Sequence, residues 1–476
     1  MKPVTRILTV AITVVLLKSP ALRAASYTWD GGELVSSNWT AGKNWTGNIP
    51  PPSDGTADLI FTGIVGLNPN ANLDWSIRSL TFGSGAGGFT IQGNPLTVGI
   101  GGITNGDDSV QTIENDIVLD VSQTFRTTGT GSFAINGSVN TNGNALTVDA
   151  ATDFIVLGGA ITGSGALTSV GINSLVLTGG ANNTYAGGTT VSGNLTLAKT
   201  GGATAIPGAL VIGGGAGLNN VAVGFDEQIA NTSAVTVNAG ASLGLGMGVV
   251  ETVGALTIGN GAVRIDTGSL KASGVTMTGG TISSRLAGRL ILAGNITATA
   301  GGLQTSSISG RIDLGGATRT FTVGGAAGSV ELDINAAISN GSVIKAGAGT
   351  LRLSGAQTYA SLLAQAGTVD LESAVGTGTS SVTVTPTAGS ATVNFNASQR
   401  LASLTIGNGG VVNVNAQDPG SGDPYETLLH QGDDLAQIAK SDGSVGNGLA
   451  VPEPGSLSLM LMGASGSLVL RRRKRA

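Results

Sequence analysis

LVLTGGANNTYAGGTTVSGNLTLA, residues 175–198, holds in one stretch the pattern that the remainder of the chain repeats more loosely. Two apolar triplets, Leu175-Val176-Leu177 and Leu195-Thr196-Leu197, have their outer residues one strand period of two apart. Between them a Gly and Asn cluster surrounds Thr189-Thr190-Val191, so the stretch reads as strand, turn, short strand, turn and strand. A weaker echo, LRLSGAQTYASLLAQAGTVDLES, occupies residues 351–373 behind Gly347-Ala348-Gly349-Thr350.

Outward from that stretch the same small device recurs: an apolar residue, an outward residue that is usually Thr, a second apolar residue, then Gly or Asn. It appears as Leu80-Thr81-Phe82, Phe89-Thr90-Ile91, Leu96-Thr97-Val98, Leu146-Thr147-Val148, Val235-Thr236-Val237, Leu256-Thr257-Ile258, Val382-Thr383-Val384 and Leu404-Thr405-Ile406. Each triplet sends two side chains to one face and one to the other. Such short strands cannot form a sandwich unaided, but stacked as the turns of a coil they bury one continuous core. Asn-Gly steps at Asn136, Asn142, Asn260, Asn340 and Asn408 are expected to supply the positive φ that corners need. The repeated hexapeptide LTIGNG, at 256–261 and 404–409, supports a recurring unit. The reading is all-β, a right-handed parallel β-solenoid. With about 20 to 25 residues per rung and about 4.8 Å between rungs, residues 65–415 make on the order of 15 rungs. Val221 to Ala230, which includes Phe225-Asp226-Glu227-Gln228, reads as a loop bulging from a corner.

Composition agrees with repetition. The 476 residues include 79 Gly, which disfavours helices. The 41% hydrophobic fraction is too high for disorder. Without Cys there is neither a disulfide nor a thiolate metal site. The net charge is -5, and nine basic residues sit at the two ends, so removing both ends would leave about -14. That surface repels phosphate backbones, so nucleic acid is excluded as an expected partner.

Five regions follow. Residues 1–24 form a signal peptide, with Lys2 and Arg6, an apolar run from Ile7 to Leu17 and small residues at Ala21, Ala24 and Ala25. Residues 25–78 form an N-terminal cap that contains all four Trp. Trp29, Trp39 and Trp45 are read first as the lid over an open stack end and, as an alternative, as a stacking platform for sugar rings. Residues 79–415 are the solenoid. Residues 416–450 form a C-terminal cap and polar spacer with the one His, His430. Residues 451–476 comprise Val451-Pro452-Glu453-Pro454, an apolar segment from Gly455 to Leu470 expected to be a single helix, and the basic end Arg471 to Arg475. That apolar segment is short for a span and would leave its basic end on the cytoplasmic side.

Two resemblances can be named on these residues. The tail from Val451 to Arg475, together with the N-terminal leader, resembles the PEP-CTERM sorting signal. The resemblance implies recognition of Val451, Pro452, Glu453 and Pro454 by an exosortase-type transpeptidase after passage through the secretion machinery. It also implies transient inner-membrane anchoring through 455–470, and a final place on the cell-envelope surface or in an exopolysaccharide-containing extracellular matrix. Residues 171–198 are similar to the autotransporter-associated β-strand repeat, with Thr184-Tyr185, Gly187-Gly188-Thr189-Thr190-Val191 and Leu195-Thr196-Leu197 carrying the likeness. In the copy at 347–371, Ala360-Ser361-Leu362-Leu363 replaces the Gly-Gly-Thr-Thr block, which implies a different corner. No outer-membrane barrel is expected, since the chain ends in one apolar segment.

Catalysis is not expected. Glycoside hydrolysis needs two facing carboxylates, whereas Asp107-Asp108 and Asp433-Asp434 are neighbours that read as turn residues. Arg285, Arg289, Arg311 and Arg319 read as solvated side chains of neighbouring rungs. Gly213-Gly214-Gly215 lacks the Gly-Lys-Ser or Gly-Lys-Thr ending of a phosphate loop. No cofactor or metal site is expected. The functional expectation is an exported structural or adhesive surface protein, with a polysaccharide-binding or polysaccharide-degrading β-helix as the alternative.

Overall fold

The two triplets of residues 175–198 lie directly on top of each other: Leu175 pairs with Leu195 and Leu177 with Leu197 in parallel strands. One turn of a coil therefore takes 20 residues here. The computed structural model describes residues 24–214, 219–299, 304–325, 329–374 and 378–415, and beyond 415 only isolated two-residue strand pieces. The signal peptide, Asp433 and Val451–Pro454 lie outside the described residues, and of the C-terminal cap and spacer and the expected C-terminal helix only such strand pieces are described, His430 and Asp434 each falling in one. Among the described residues no helix is long and apolar enough to cross a membrane.

The chain is a parallel β-solenoid of about 16 turns. Each turn visits three faces. The first is represented by Leu146–Asp149, Leu167–Val170 and Thr189–Val191, the second by Ile155–Leu157, Ser174–Leu177 and Asn194–Leu197, and the third by Ile117–Leu119, Val139–Asn140 and Ile161–Thr162. Inward residues of the second face form one unbroken aliphatic column: Ile91, Ile113, Ile135, Leu157, Leu177, Leu197, Val223, Leu245 and Ile265, each in register with the next. All of these are buried. Burying one such side chain contributes about 1.5–3 kcal/mol, so the ladder is stabilised evenly along its length. Turn length varies, from 18 residues between Leu353 and Leu371 to 26 between Ile282 and Ile308, and the first turn, from Trp29 to Phe61, takes 32. The corners absorb the difference while the strands keep register.

Three sequence expectations are refined. The stack reaches further towards the N-terminus than Ser79, because Ala25–Trp29 pairs with Ala57–Phe61 and Asp58–Phe61 pairs with Ser79–Phe82. Val221 and Val223 belong to the regular strand Asn219–Val223, not to a bulging loop, and the corner after them turns inward through buried Gln228 and Ile229. Of the five Asn-Gly steps, Asn142, Asn260 and Asn340 have positive φ, near +50° to +59°. At Asn408 the following Gly409 takes that role with φ +75°, and Asn136 instead extends its amide to Glu114.

Candidate functional site

The N-terminal end is closed by aromatic volume. Trp29 lies edge-on to Trp45 at 5.2 Å, Trp39 contacts Trp75 at 5.4 Å, and Phe61 carries the cluster on to Phe82 and Phe89. The loop after the first strand folds back across its open edge: Thr46 donates its N–H to Thr28 and Asp30 donates to Asn44, forming an antiparallel bridge at Trp29 and Trp45. Trp45 Nε1 donates to the Trp39 carbonyl at 2.7 Å and Trp29 Nε1 to the Gly66 carbonyl at 3.0 Å. Gly66 sits at φ +61°, and a Cβ there would meet Gly31 at 2.8 Å, so this approach requires the absence of side chains.

Trp29, Trp39 and Trp45 are 1%, 0% and 1% exposed. A sugar ring stacks on an open indole face, and these three have none, so the stacking platform is overturned and the lid remains. Beside them a shallow cleft of about 250 Å3, lined by residues that include Glu33, Leu34, Val35 and Asn44, is smaller than the roughly 300–1,000 Å3 of ordinary ligand pockets.

Midway along the rod the third face loses its strand, with Ile206 and Ile229 forming a lone bridge, and polar side chains take over the ladder. Asn183 accepts from the Ile161 N–H at 2.8 Å and donates to the Ala205 carbonyl at 2.8 Å. Two rungs on from Asn183, Gln228 accepts from the Lys199 N–H at 2.8 Å and donates to the Lys199 carbonyl at 3.0 Å. Glu251 then accepts from the Gln228 and Ile229 N–H groups at 2.8 and 3.1 Å. The buried Lys199 ammonium donates to the Thr178 and Gly159 carbonyls, and burial pushes it down to about 8. Glu251 is pushed up to about 8, chiefly by burial and against the pull of its two N–H donors. A similar corner recurs at Lys345, which donates to the Gly347 and Ala366 carbonyls and is lowered to about 8 by burial, with Glu331 opposing. These groups have their hydrogen-bond capacity turned onto backbone, which suits them to holding corners rather than meeting substrate.

The sequence reading missed these buried ions, yet strand parity marks them: Lys199 continues the inward series Leu195 and Leu197, Glu251 lies between inward Val249 and Val253, and Lys345 follows inward Val343. Both repeat copies also bury a Tyr. Tyr185 bonds Thr189 at 2.5 Å, and burial raises the phenols of Tyr185 and Tyr359.

The neighbouring acids do turn work. Asp107 accepts from the Gly85, Ala86 and Ser109 N–H groups, whereas Asp108 faces outward and accepts from Thr130, which lowers its carboxyl below the usual value. Arg289 and Arg311 precede the paired Leu290 and Ile312 on adjacent rungs, and Arg319 donates to the Leu314 and Ala293 carbonyls. Among the described residues no group of three or more metal-ligating side chains converges.

The tail carries a recognisable signal. Residues 450–475 match the PEP-CTERM protein-sorting motif. A PEP-CTERM signal implies an exported, exosortase-sorted surface protein, here one with a β-solenoid body. The match takes in Val451, Pro452, Glu453 and Pro454. Neither the curated proteins nor the solved structures yield a match to the chain.

Proposed function

We propose that this chain is a structural and adhesive rod of the cell surface or extracellular matrix, built of autotransporter-associated β-strand repeats and released from the membrane by cleavage at its PEP-CTERM tail. The observation that carries the reading is the pairing of a parallel strand stack with a sorting motif at the C-terminal end of the chain. A solenoid of this kind keeps its shape without a ligand, because each rung satisfies the backbone of the next and the Trp lid closes the N-terminal edge. In this reading the rod works without turnover: outward Thr, Asn and Ser offer many weak polar contacts, exopolysaccharide is the polymer they would meet, and repetition turns weak contacts into avidity. Residues 455–470 would hold the precursor in the inner membrane only until exosortase cuts.

The test is the intact mass of the protein recovered from envelope and medium of the producing cells, beside a Pro452→Ala, Glu453→Ala double variant. The expected wild-type protein has lost both ends, while the variant keeps Arg471 to Arg475 and stays in the inner membrane. A wild-type protein that retains its basic end and remains membrane-bound would reduce the tail to a plain anchor.

A further inference from the structure

The outward side of the first face is uncharged over eight successive rungs. Its segments are 166–170, 188–192, 209–213, 234–238, 255–259, 274–278, 295–299 and 320–324, and none contains an ionisable residue. Their central outward positions are Thr168, Thr190, Val211, Thr236, Thr257, Thr276, Thr297 and Thr322, each in register with the next. All eight are exposed or half-buried. Beside this row runs a second made of Ala166, Gly188, Ala209, Ala234, Ala255 and Gly274, again exposed or half-buried. On the last two rungs Asn295 and Thr320 take this second position, so the face is neutral throughout and lowest over its first six rungs. Its boundaries are charged: Arg126 and Asp149 pair in register just before it, and Arg319 is held at the far corner on backbone carbonyls.

The other two faces do not stay neutral for as long. Beside these rungs the second carries Arg264, and beyond residue 324 it carries the Asp333–Arg352 ion pair at 2.7 Å and Asp370; the third carries Lys271, Arg289 and Asp313. Over residues 24–415 the sequence has 21 acidic and 13 basic side chains, a net of -8. Two such rods repel unless they meet where no charge is opposed to charge.

We infer that this neutral Thr face is the surface on which a second copy of the chain docks, side by side, to pair rods laterally. Period decides between partners. A second copy has the same rung spacing of about 4.8 Å, so if one Thr row meets its counterpart all eight rungs do, and small Thr, Ala and Gly side chains can interdigitate as in a dry sheet-to-sheet contact. A polymer of another repeat drifts out of register along the roughly 35 Å of the face. With five residues per strand, two opposed faces bury on the order of 1,000 Å2 in total, the lower bound of a specific interface. The inference goes beyond the surface-rod reading, since lateral pairing in solution does not depend on how the tail is sorted.

The full chain in sedimentation velocity over a concentration series is expected to show a monomer–dimer equilibrium. Thr236→Asp, Thr257→Asp, Thr276→Asp together should weaken it by at least about tenfold, with partial recovery in high salt. The same charge added on the second face, as Asn220→Asp, Ser242→Asp, Ser283→Asp, should leave it unchanged. Because the chain has no Cys, Thr257→Cys supplies a single thiol whose small side chain preserves the rung. A short bismaleimide should crosslink that variant to a dimer and leave Ser242→Cys monomeric. A wild-type chain that stays monomeric throughout, including one that instead binds a neutral glucan, overturns the inference, and so do equal crosslinking at both positions or equal loss in both triple variants.

Discussion

The first turns and the middle of the rod solve different problems with different residues. Near the N-terminus, Trp29, Trp39, Trp45, Trp75, Phe61, Phe82 and Phe89 form one aromatic cluster, whereas from Ile113 to Ile265 the second-face column is wholly Ile, Leu and Val. An interior rung has a neighbour on each side, so branched aliphatic side chains fill the space and the ladder satisfies the backbone. An end rung has a neighbour on one side only. It needs bulk to cover the core and a folded-back segment to occupy its edge, which Trp45 and the bond from Thr46 to Thr28 provide. The lesson is that repetition stabilises only where it can continue.

The comparison can be broken most directly at the lid. Trp45→Ala removes a fully buried indole and the bond to Trp39, with an expected cost of about 3–5 kcal/mol. Hydrogen exchange should show protection lost from Ala25–Trp29 and Ala57–Gly63 onward in one direction. Leu177→Ala in the middle should cost about 2–5 kcal/mol, with protection lost on both neighbouring rungs, at Leu157 and Leu197. If both variants frayed from the N-terminus alike, the distinction between lid and body would fail.

A subtler contrast lies at the polar third face. Glu251 is raised from 4.5 to about 8, so the fold keeps a proton that the unfolded chain releases. Stability contributed by this group is full below pH 4.5 and falls as pH rises to about 8. The urea midpoint should fall across that window, and Glu251→Gln should flatten the fall even if it lowers the midpoint overall. Lys199 and Lys345 run the other way: their depressed values oppose folding below about 8, and that cost fades between pH 8 and 10.5. The smallest effect is expected at the outward amide ladder Asp370, Asn394, Asn413, whose bonds are 2.6 and 2.8 Å. Asn394→Ala should cost about 0.5–1.5 kcal/mol by thermal melting, since the groups it releases can reach water.

Much of the rod was legible in the residue order, because strand parity is a local property. The triplets Leu175-Val176-Leu177 and Leu195-Thr196-Leu197 announce which side chains turn inward, and their stacking follows once the turn between them is recognised. The lid was legible as bulk at one end of the chain. Whether Trp29, Trp39 and Trp45 were open to a sugar was not, because exposure depends on what folds over a side chain. The ions at Lys199, Glu251 and Lys345 fell between these cases: parity points them inward, but apart from the local bond of Lys345 to Gly347 their partners lie 21 to 40 residues away, as in the bonds from Lys199 to Thr178 and Gly159. The polar column appears only where the third face loses its strand, and the turn lengths alone do not say which corner that is.

Residue order was enough to decide the period, the inward pattern and the sorting tail, since each is written in neighbouring side chains and needs no distant partner. Tertiary structure alone decided which rungs align. Turns of 19 to 25 residues bring Thr168, Thr190, Val211, Thr236, Thr257, Thr276, Thr297 and Thr322 into one neutral row, while Arg264 and Lys271 fall on the other two faces. The physical reason is that corners of unequal length absorb the irregularity while backbone hydrogen bonding holds the strands in register, so a surface property emerges from a ladder that no single repeat contains.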